Sequence, residues 1–269
     1  MSFKVIQRGQ TFDVYDGERL FTSCVYEPQY VRPFMGPVYT SFGESFTRFA
    51  EKHQEHPHQR SVFVGIGNVN GVDFWNEDGE NKGKMVFNSV LCAEGGDQAV
   101  VSVKLIWKPI ETDEDFLEEV RTLTFRKVGD LITVDVHLAF TASYRDITLG
   151  ITKEAGPLGI RMADDLRADK GGSFTNSEGA LNEEGCWSKE AKWCNYSGML
   201  NGQKVGIAYY DKKTNPRYPA AWHIRNYGLM AANNFYFKGE EHIAKGDTLC
   251  YDFLLCFWEK EFDPKAFEE

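Results

Sequence analysis

RTLTFRKVGDLITVDVHLAF (121–140) decides the fold class. Ile132, Val134, Val136, Leu138 and Phe140 occupy alternate positions, with Leu131, Thr133, Asp135, His137 and Ala139 between them. Successive side chains of an extended chain point to opposite faces, so this is the pattern of a strand with one face buried. RTLTFRKV (121–128) precedes it across Gly129-Asp130, which reads as a hairpin turn. Working outward, VVSVKLIW (100–107) adds a strand, and TFDVYDGERLFTSCVY (11–26) reads as two strands about Asp16-Gly17. YSGMLNGQKVGIAYYD (196–211) is a hairpin with Asn201-Gly202 at its tip, the strongest short-range hairpin signal. DTLCYDFLLCFW (247–258), apolar at nearly every position, predicts a central, buried strand. Helices are expected only as short pieces, at 112–119, 164–170 and near 263–268. There is no repeat period and no linker rich in Pro, Gly or Ser. The expectation is all-β: a single antiparallel β-sandwich domain over residues 1–269, with long functional loops.

Composition narrows the function classes. With 42% hydrophobic and 26% charged residues over 269 positions, the chain can bury a core without a disulfide framework. A net charge of -10 argues against nucleic acid, since phosphate binding wants a basic face. The first residues, MSFKVIQRGQTFDVYDG, hold no apolar core flanked by positive charge, so no secretion signal is expected. No apolar run is long enough for a membrane helix. The six cysteines lack zinc-knuckle spacing and are expected to be small buried residues rather than ligands. A cytoplasmic protein without a membrane partner is expected. Its sheet edges leave a homodimer open.

Chemistry is sought in 30–60, 153–195 and 211–236, polar-aromatic stretches that do not alternate. EHPHQR (55–60) sets His56 and His58 two residues apart on what reads as an extended segment. They can offer two imidazole nitrogens to a divalent metal, with His223 as third ligand, or they can form a polar site with Arg60. Their bland reading is a loop that bonds its own backbone. In GVDFW (71–75), Asp73 either accepts substrate hydroxyls or ties the loop. KEAGPLGIRMADDLR (153–167) brings Lys153, Arg161 and Asp164 among glycines, either as ligand contacts or as surface ion pairs, and looks too irregular for a strand.

TNSEGALNEEGCWSKEAKWCNYSG (175–198) mixes Asn176, Glu178, Trp187, Lys192 and Tyr196. Carboxylates and amides beside flat rings suit sugars, though Trp193 reads as packing. In RYPAAWHIRNYGLMAANNF (217–235), His223 and Arg225 alternate about Ile224 and share a face, flanked by Tyr227 and followed by Asn233. No GxSxG elbow, P-loop or GxGxxG helix start is present, and GIGNVNG (65–71) precedes no helix.

HPHQR, NGVDFW, KEAGPLGIRMAD, TNSEG, KWCNYSG and YPAAWHIRNYGLMAANNF, in this order over nearly the whole chain, resemble the bacterial PmoA-like family. That resemblance implies a β-sandwich related to the mutarotase-like sandwiches and a setting in sugar metabolism. The family's methane-oxygenase label does not fit a chain without spanning helices.

Three readings follow. The first is a carbohydrate-active enzyme of epimerase, lyase or hydrolase type. In it His58, His223 or Glu178 moves a proton, and Arg60, Arg161 and Arg225 hold oxyanions or hydroxyls without a cofactor. The second is a non-catalytic sugar-binding or sensing domain. The third is a metal-dependent enzyme on His56, His58 and His223.

Overall fold

In the computed structural model, which describes residues 2–49 and 55–268, the chain builds two eight-stranded antiparallel sheets and a two-stranded ribbon. The first sheet runs, in spatial order, Phe3–Arg8 (β1), Thr11–Asp16 (β2), Arg19–Val25 (β3), Phe34–Val38 (β4), Val62–Ile66 (β5), Ala155–Arg161 (β11), Leu229–Ala232 (β16) and Trp222–Ile224 (β15). The second runs Ser173–Asn176 (β12), Trp193–Leu200 (β13), Gln203–Asp211 (β14), Thr248–Glu259 (β18), Leu131–Thr141 (β9), Leu117–Val128 (β8), Ala99–Pro109 (β7) and Gly83–Glu94 (β6). Ile147–Leu149 (β10) and Glu241–Ile243 (β17) form the ribbon. Asn182–Cys186 (α1) and Asn234–Lys238 (α2) are short helices. None is long and apolar enough to cross a membrane.

Period-two patterning explains how the layers face each other. Ile132, Val134, Val136, Leu138 and Phe140 of β9 are buried in one core with Val64, Ile160, Met230 and Ile224 of the first sheet. Their neighbours Phe63, Leu229 and Ala231 join a separate cluster on the opposite face of that sheet. Fully burying one such side chain is worth about 1.5–3 kcal/mol, so a one-residue slip in any central strand is prohibitive. β18 is central, between β14 and β9. It is apolar on both faces because the chain's tail covers the outer one: Phe262 and Phe267 pack on a cluster of Trp193, Ala208, Tyr210, Leu254 and Cys256. All six cysteines are free, with Cys24, Cys186, Cys194 and Cys256 buried.

Two expectations are corrected. No part of 112–119 is helical: 112–116 is turn and loop, and Leu117–Glu119 opens β8. The inward positions of β8 include Glu119, fully buried, whose carboxylate accepts from Trp107 Nε1 (2.7 Å) and Arg121 Nε (2.6 Å). Charges on the buried face hid the alternation. The segment after Lys153 is not irregular but a central strand, β11, interrupted by a bulge between Gly156 and Leu158. The short helical pieces expected at 164–170 and near 263–268 are present as 3₁₀ turns over Asp164–Leu166, Ala168–Lys170 and Pro264–Phe267.

Candidate functional site

The outer face of the first sheet carries one row of register partners across five strands: Phe34, Phe63, Gly159, Ala231 and His223. Glycine at 159 is required here, because a Cβ would stand 2.8 Å from the Phe63 ring that lies across β11. Gly65 does the same for Trp75, whose ring would be 3.1 Å from an added Cβ. Phe63 and Trp75 meet edge to face at 5.2 Å, and Tyr30 closes on Phe34 at 5.1 Å. These rings make an aromatic floor.

Three polar walls rise around it. The first is the HPHQ turn. His56 has φ 49, so the segment is a tight turn and not the extended stretch expected, yet the His56 and His58 rings still lie 5.9 Å apart. His58 tilts over Trp75 at 6.2 Å. His56 stacks on Tyr227 at 4.9 Å with planes 7° apart.

The second wall is the turn joining β15 to β16, where Gly228 (φ 98) lets Arg225 and Leu229 close the hairpin. Tyr196 supports that turn from the interior: its hydroxyl accepts from Ala168 N (2.8 Å) and donates to Asn226 O (2.9 Å). α1 locks it from outside, since Glu183 accepts from Asn226 N (2.9 Å) and pairs with Arg225 (2.9 Å).

The third wall is His223 on β15, three ladder spacings from β5 and so roughly 14 Å from Phe63 along the row. Ile224 and Trp222 point inward, so His223 and Arg225 share the outer side as the alternation predicts.

Arg161 lies beneath the first two walls. It is fully buried, donates to Gln59 Oε1 (2.6 Å) and Glu55 Oε1 (3.0 Å), and sits 4.6 Å over the Tyr227 ring. Its Nε, His56 Nδ1 and His223 Nδ1 are buried with no hydrogen-bond partner among the described residues. Burial, then His56 and Arg32, push the His58 pKa down to about 4. Burial also takes His223 down to about 4, against the opposing Lys153 carbonyl and with help from Arg225. Burial and then Arg161 lower that of His56. Near neutral pH this face therefore presents three neutral imidazoles, with His56 beside the charged Arg161 guanidinium and His223 beside Arg225.

The other candidates fall elsewhere or have structural partners. Arg60 is buried in a two-pronged pair with Glu77, its Nη2 2.9 Å from Oε2. Asp73 ties its own loop, accepting from Trp75 N (2.7 Å), Asn76 N (3.0 Å) and Lys82 Nζ (2.6 Å). Asn233 caps α2, accepting from Phe235 N and Tyr236 N, each at 3.0 Å. Asp164 pairs with Arg48 and Arg167, each at 3.7 Å. Lys153 is exposed beside Glu154.

Asn176 and Glu178 lie on β12 and its turn, at the edge of the second sheet, and Lys192 pairs with Glu268 of the tail. They do not join the histidines. Trp187 follows α1, next to the segment that bridges the free edge of β15, and meets Phe237 at 5.4 Å. Among the described residues no three His, Cys, Asp or Glu side chains converge as a ligand set. Gln59, Glu55 and Glu183 belong to the site unforeseen. Gln59 and Glu55 lie inside EHPHQR, whose histidines drew the attention, and Glu183 carries no spacing signal at all.

Residues 11–269 match the model of DUF6807, described as a family of unknown function. The chain belongs to this family. No curated protein matches it. Among solved structures, this DUF6807 chain is similar to the galactosidase domain of alpha-galactosidase-sucrose kinase, AgaSK. There the identity is 10% and the TM-score 0.49, covering 95% of this chain and 42% of that one. The chain thus spans less than half of that protein's length. It is also similar to a galactose mutarotase related enzyme from Lactobacillus acidophilus, with 10% identity, a TM-score of 0.37 and 95% and 97% coverage. At such scores function must be read from the residues of the DUF6807 chain itself.

Proposed function

We propose that the outer face of the first sheet binds a carbohydrate and moves a proton on it, as an epimerase or lyase-type enzyme does. The observation that carries this reading is the set of three neutral imidazoles around a buried guanidinium, above an aromatic floor. Tyr227, half-buried between His56 and Arg161, offers its ring edge to the apolar part of a sugar, while the buried Trp75 backs His58 from beneath. A neutral imidazole, His58 or His223, accepts a proton from carbon or hydroxyl, and Arg161 stabilises the negative charge that develops on oxygen. A second imidazole returns the proton. Such a transfer needs no redox cofactor. Hydrolysis by opposed carboxylates is less well supported, because Glu55, Asp164 and Glu183 are already paired with arginines.

The depressed pKa of His58 and His223 favours a second reading, a sugar-binding domain without turnover, since a group near pH 4 is a weak base. Proton NMR of neutral and acidic sugars incubated with the protein in D₂O separates the two. The enzyme reading expects deuterium at carbon, accelerated anomeric exchange or an unsaturated product, each lost in His58→Ala or His223→Ala. Saturable binding with none of these, retained in both variants, overturns it in favour of the binding domain.

A further inference from the structure

Where the turns β2–β3, β8–β9 and β13–β14 gather, the two sheets part around a cavity of about 390 Å³. This lies within the range of roughly 300–1,000 Å³ typical of small-molecule pockets. It shares no residue with the outer face of the first sheet.

Its floor is aromatic: Phe257 meets Phe21 at 5.5 Å and Phe46 at 5.6 Å, in both cases edge to face. Its rim is polar and balanced, with Arg19, Lys127 and Lys260 against Asp16, Asp130 and Glu259. Part of that rim is closed on itself. Asp16, nine-tenths buried, accepts from Lys127 (2.9 Å) and Arg19 (3.2 Å), and Glu259 accepts from Ser41 N (2.6 Å). The rest is not. Gln203, Asp130, the Lys260 ammonium and the Tyr39 hydroxyl line the cavity without a hydrogen-bond or ion-pair partner among the described residues.

We propose that this mouth is a second binding site, for a neutral polyhydroxylated molecule of sugar-ring size. Balanced charge at the rim gives no net attraction for an anion or a cation. An apolar ligand would strip water from the charged rim without replacing its hydrogen bonds. A polyol ring satisfies both surfaces, placing its C–H face on Phe257 and Phe21 and its hydroxyls toward Gln203, Tyr39 and Asp130. The fixed pairs at Asp16 and Glu259 hold the wall in place before the ligand arrives. This site stands whether or not the outer face is catalytic.

Calorimetric titration with D-glucose, D-galactose and sucrose tests it, on the wild type and on Gln203→Trp, Tyr39→Phe and Arg161→Ala. Gln203 is exposed, so a tryptophan there obstructs the mouth without touching the core. The expected result is saturable binding of at least one of these sugars, weakened about tenfold or more by Gln203→Trp and about threefold by Tyr39→Phe. The binding component that Gln203→Trp weakens is still present in Arg161→Ala, whatever that variant does to sugar at the outer face. Absence of saturable binding to all three sugars overturns the proposal, as does binding that Gln203→Trp leaves intact. Binding lost in Arg161→Ala alone assigns the sugar to the outer face and also overturns it.

Discussion

Arg121 and Arg161 are both buried arginines on central strands, and they differ in what closes around them. Arg121 lies between the sheets with Nε and Nη2 on the two oxygens of Glu119 (2.6 and 3.1 Å) and Nη1 on the Pro33 carbonyl (3.2 Å). Glu119 is itself fully buried and also holds Trp107. That network is buried throughout. Arg161 has one neutral amide partner, one carboxylate that is 51% exposed, and an Nε with no partner among the described residues. The closed arginine ties two sheets together, whereas in the proposed function the open one exchanges Glu55, which it shares with Arg167, for a ligand. Burial alone therefore does not mark a functional charge; an exchangeable partner does.

The largest effect should come from opening the closed network. Glu119→Ala leaves Arg121 charged and buried without its carboxylate, which costs about 3–5 kcal/mol of stability in chemical denaturation. A loss below about 1 kcal/mol would show that water reaches the interior there and would dissolve the comparison. Arg161→Ala should do the reverse. Its partner Glu55 is half-exposed and keeps Arg167, so stability falls by only about 1–2 kcal/mol, while proton exchange on a sugar substrate falls about 10²–10³-fold. If denaturation shows the larger loss instead, Arg161 is a structural tie like Arg121.

Slightly smaller is the pH effect. His223 is nearly fully buried, and its pKa is lowered from 6.5 to about 4. Between those values the unfolded chain binds the proton and the folded chain does not, so stability rises with pH across this window. The contribution is fully present above pH 6.5 and lost as pH falls toward 4. Its size is on the order of 3 kcal/mol, with His58 adding to the same slope. Denaturant midpoints measured at falling pH should show this decline, and His223→Asn should flatten part of it. An unchanged slope in that variant would mean the ring is solvated, and the third wall of the site would be lost.

The fold was legible where burial is one-sided. The β9 pattern, the Asn201-Gly202 tip and the apolar β18 each report a local periodicity or turn that tertiary packing does not overrule. The start of β8 and the whole of β11 escape the pattern for opposite reasons. β8 carries charges on its buried face, and β11 carries glycines so that rings from other strands can cross it. The site was half legible for the same cause. His56, His58, Arg161, Arg225 and Tyr227 are brought together, with His223 beside Arg225 on the same face, because the order β5-β11-β16-β15 sets three distant segments side by side. No spacing within one segment encodes that order, which is why the equally polar TNSEG looked as promising as WHIR and lies on the other sheet.

That last contrast gives the smallest expected effect. Glu178 is exposed, and among the described residues its carboxylate accepts a single hydrogen bond, from the neighbouring Ser177 hydroxyl at 2.8 Å. Glu178→Gln should therefore shift stability by less than about 0.5 kcal/mol and leave proton exchange unchanged. Asn176 beside it is different, since its Oδ1 accepts from Glu178 N (3.1 Å) and Ala180 N (3.0 Å) and so shapes the turn. Asn176→Ala should cost about 1 kcal/mol, the usual worth of such side-chain-to-backbone bonds, again with no change in exchange. Should Glu178→Gln abolish exchange while Arg161→Ala does not, the reacting centre belongs to the edge of the second sheet, and the open arginine has to be read as structure.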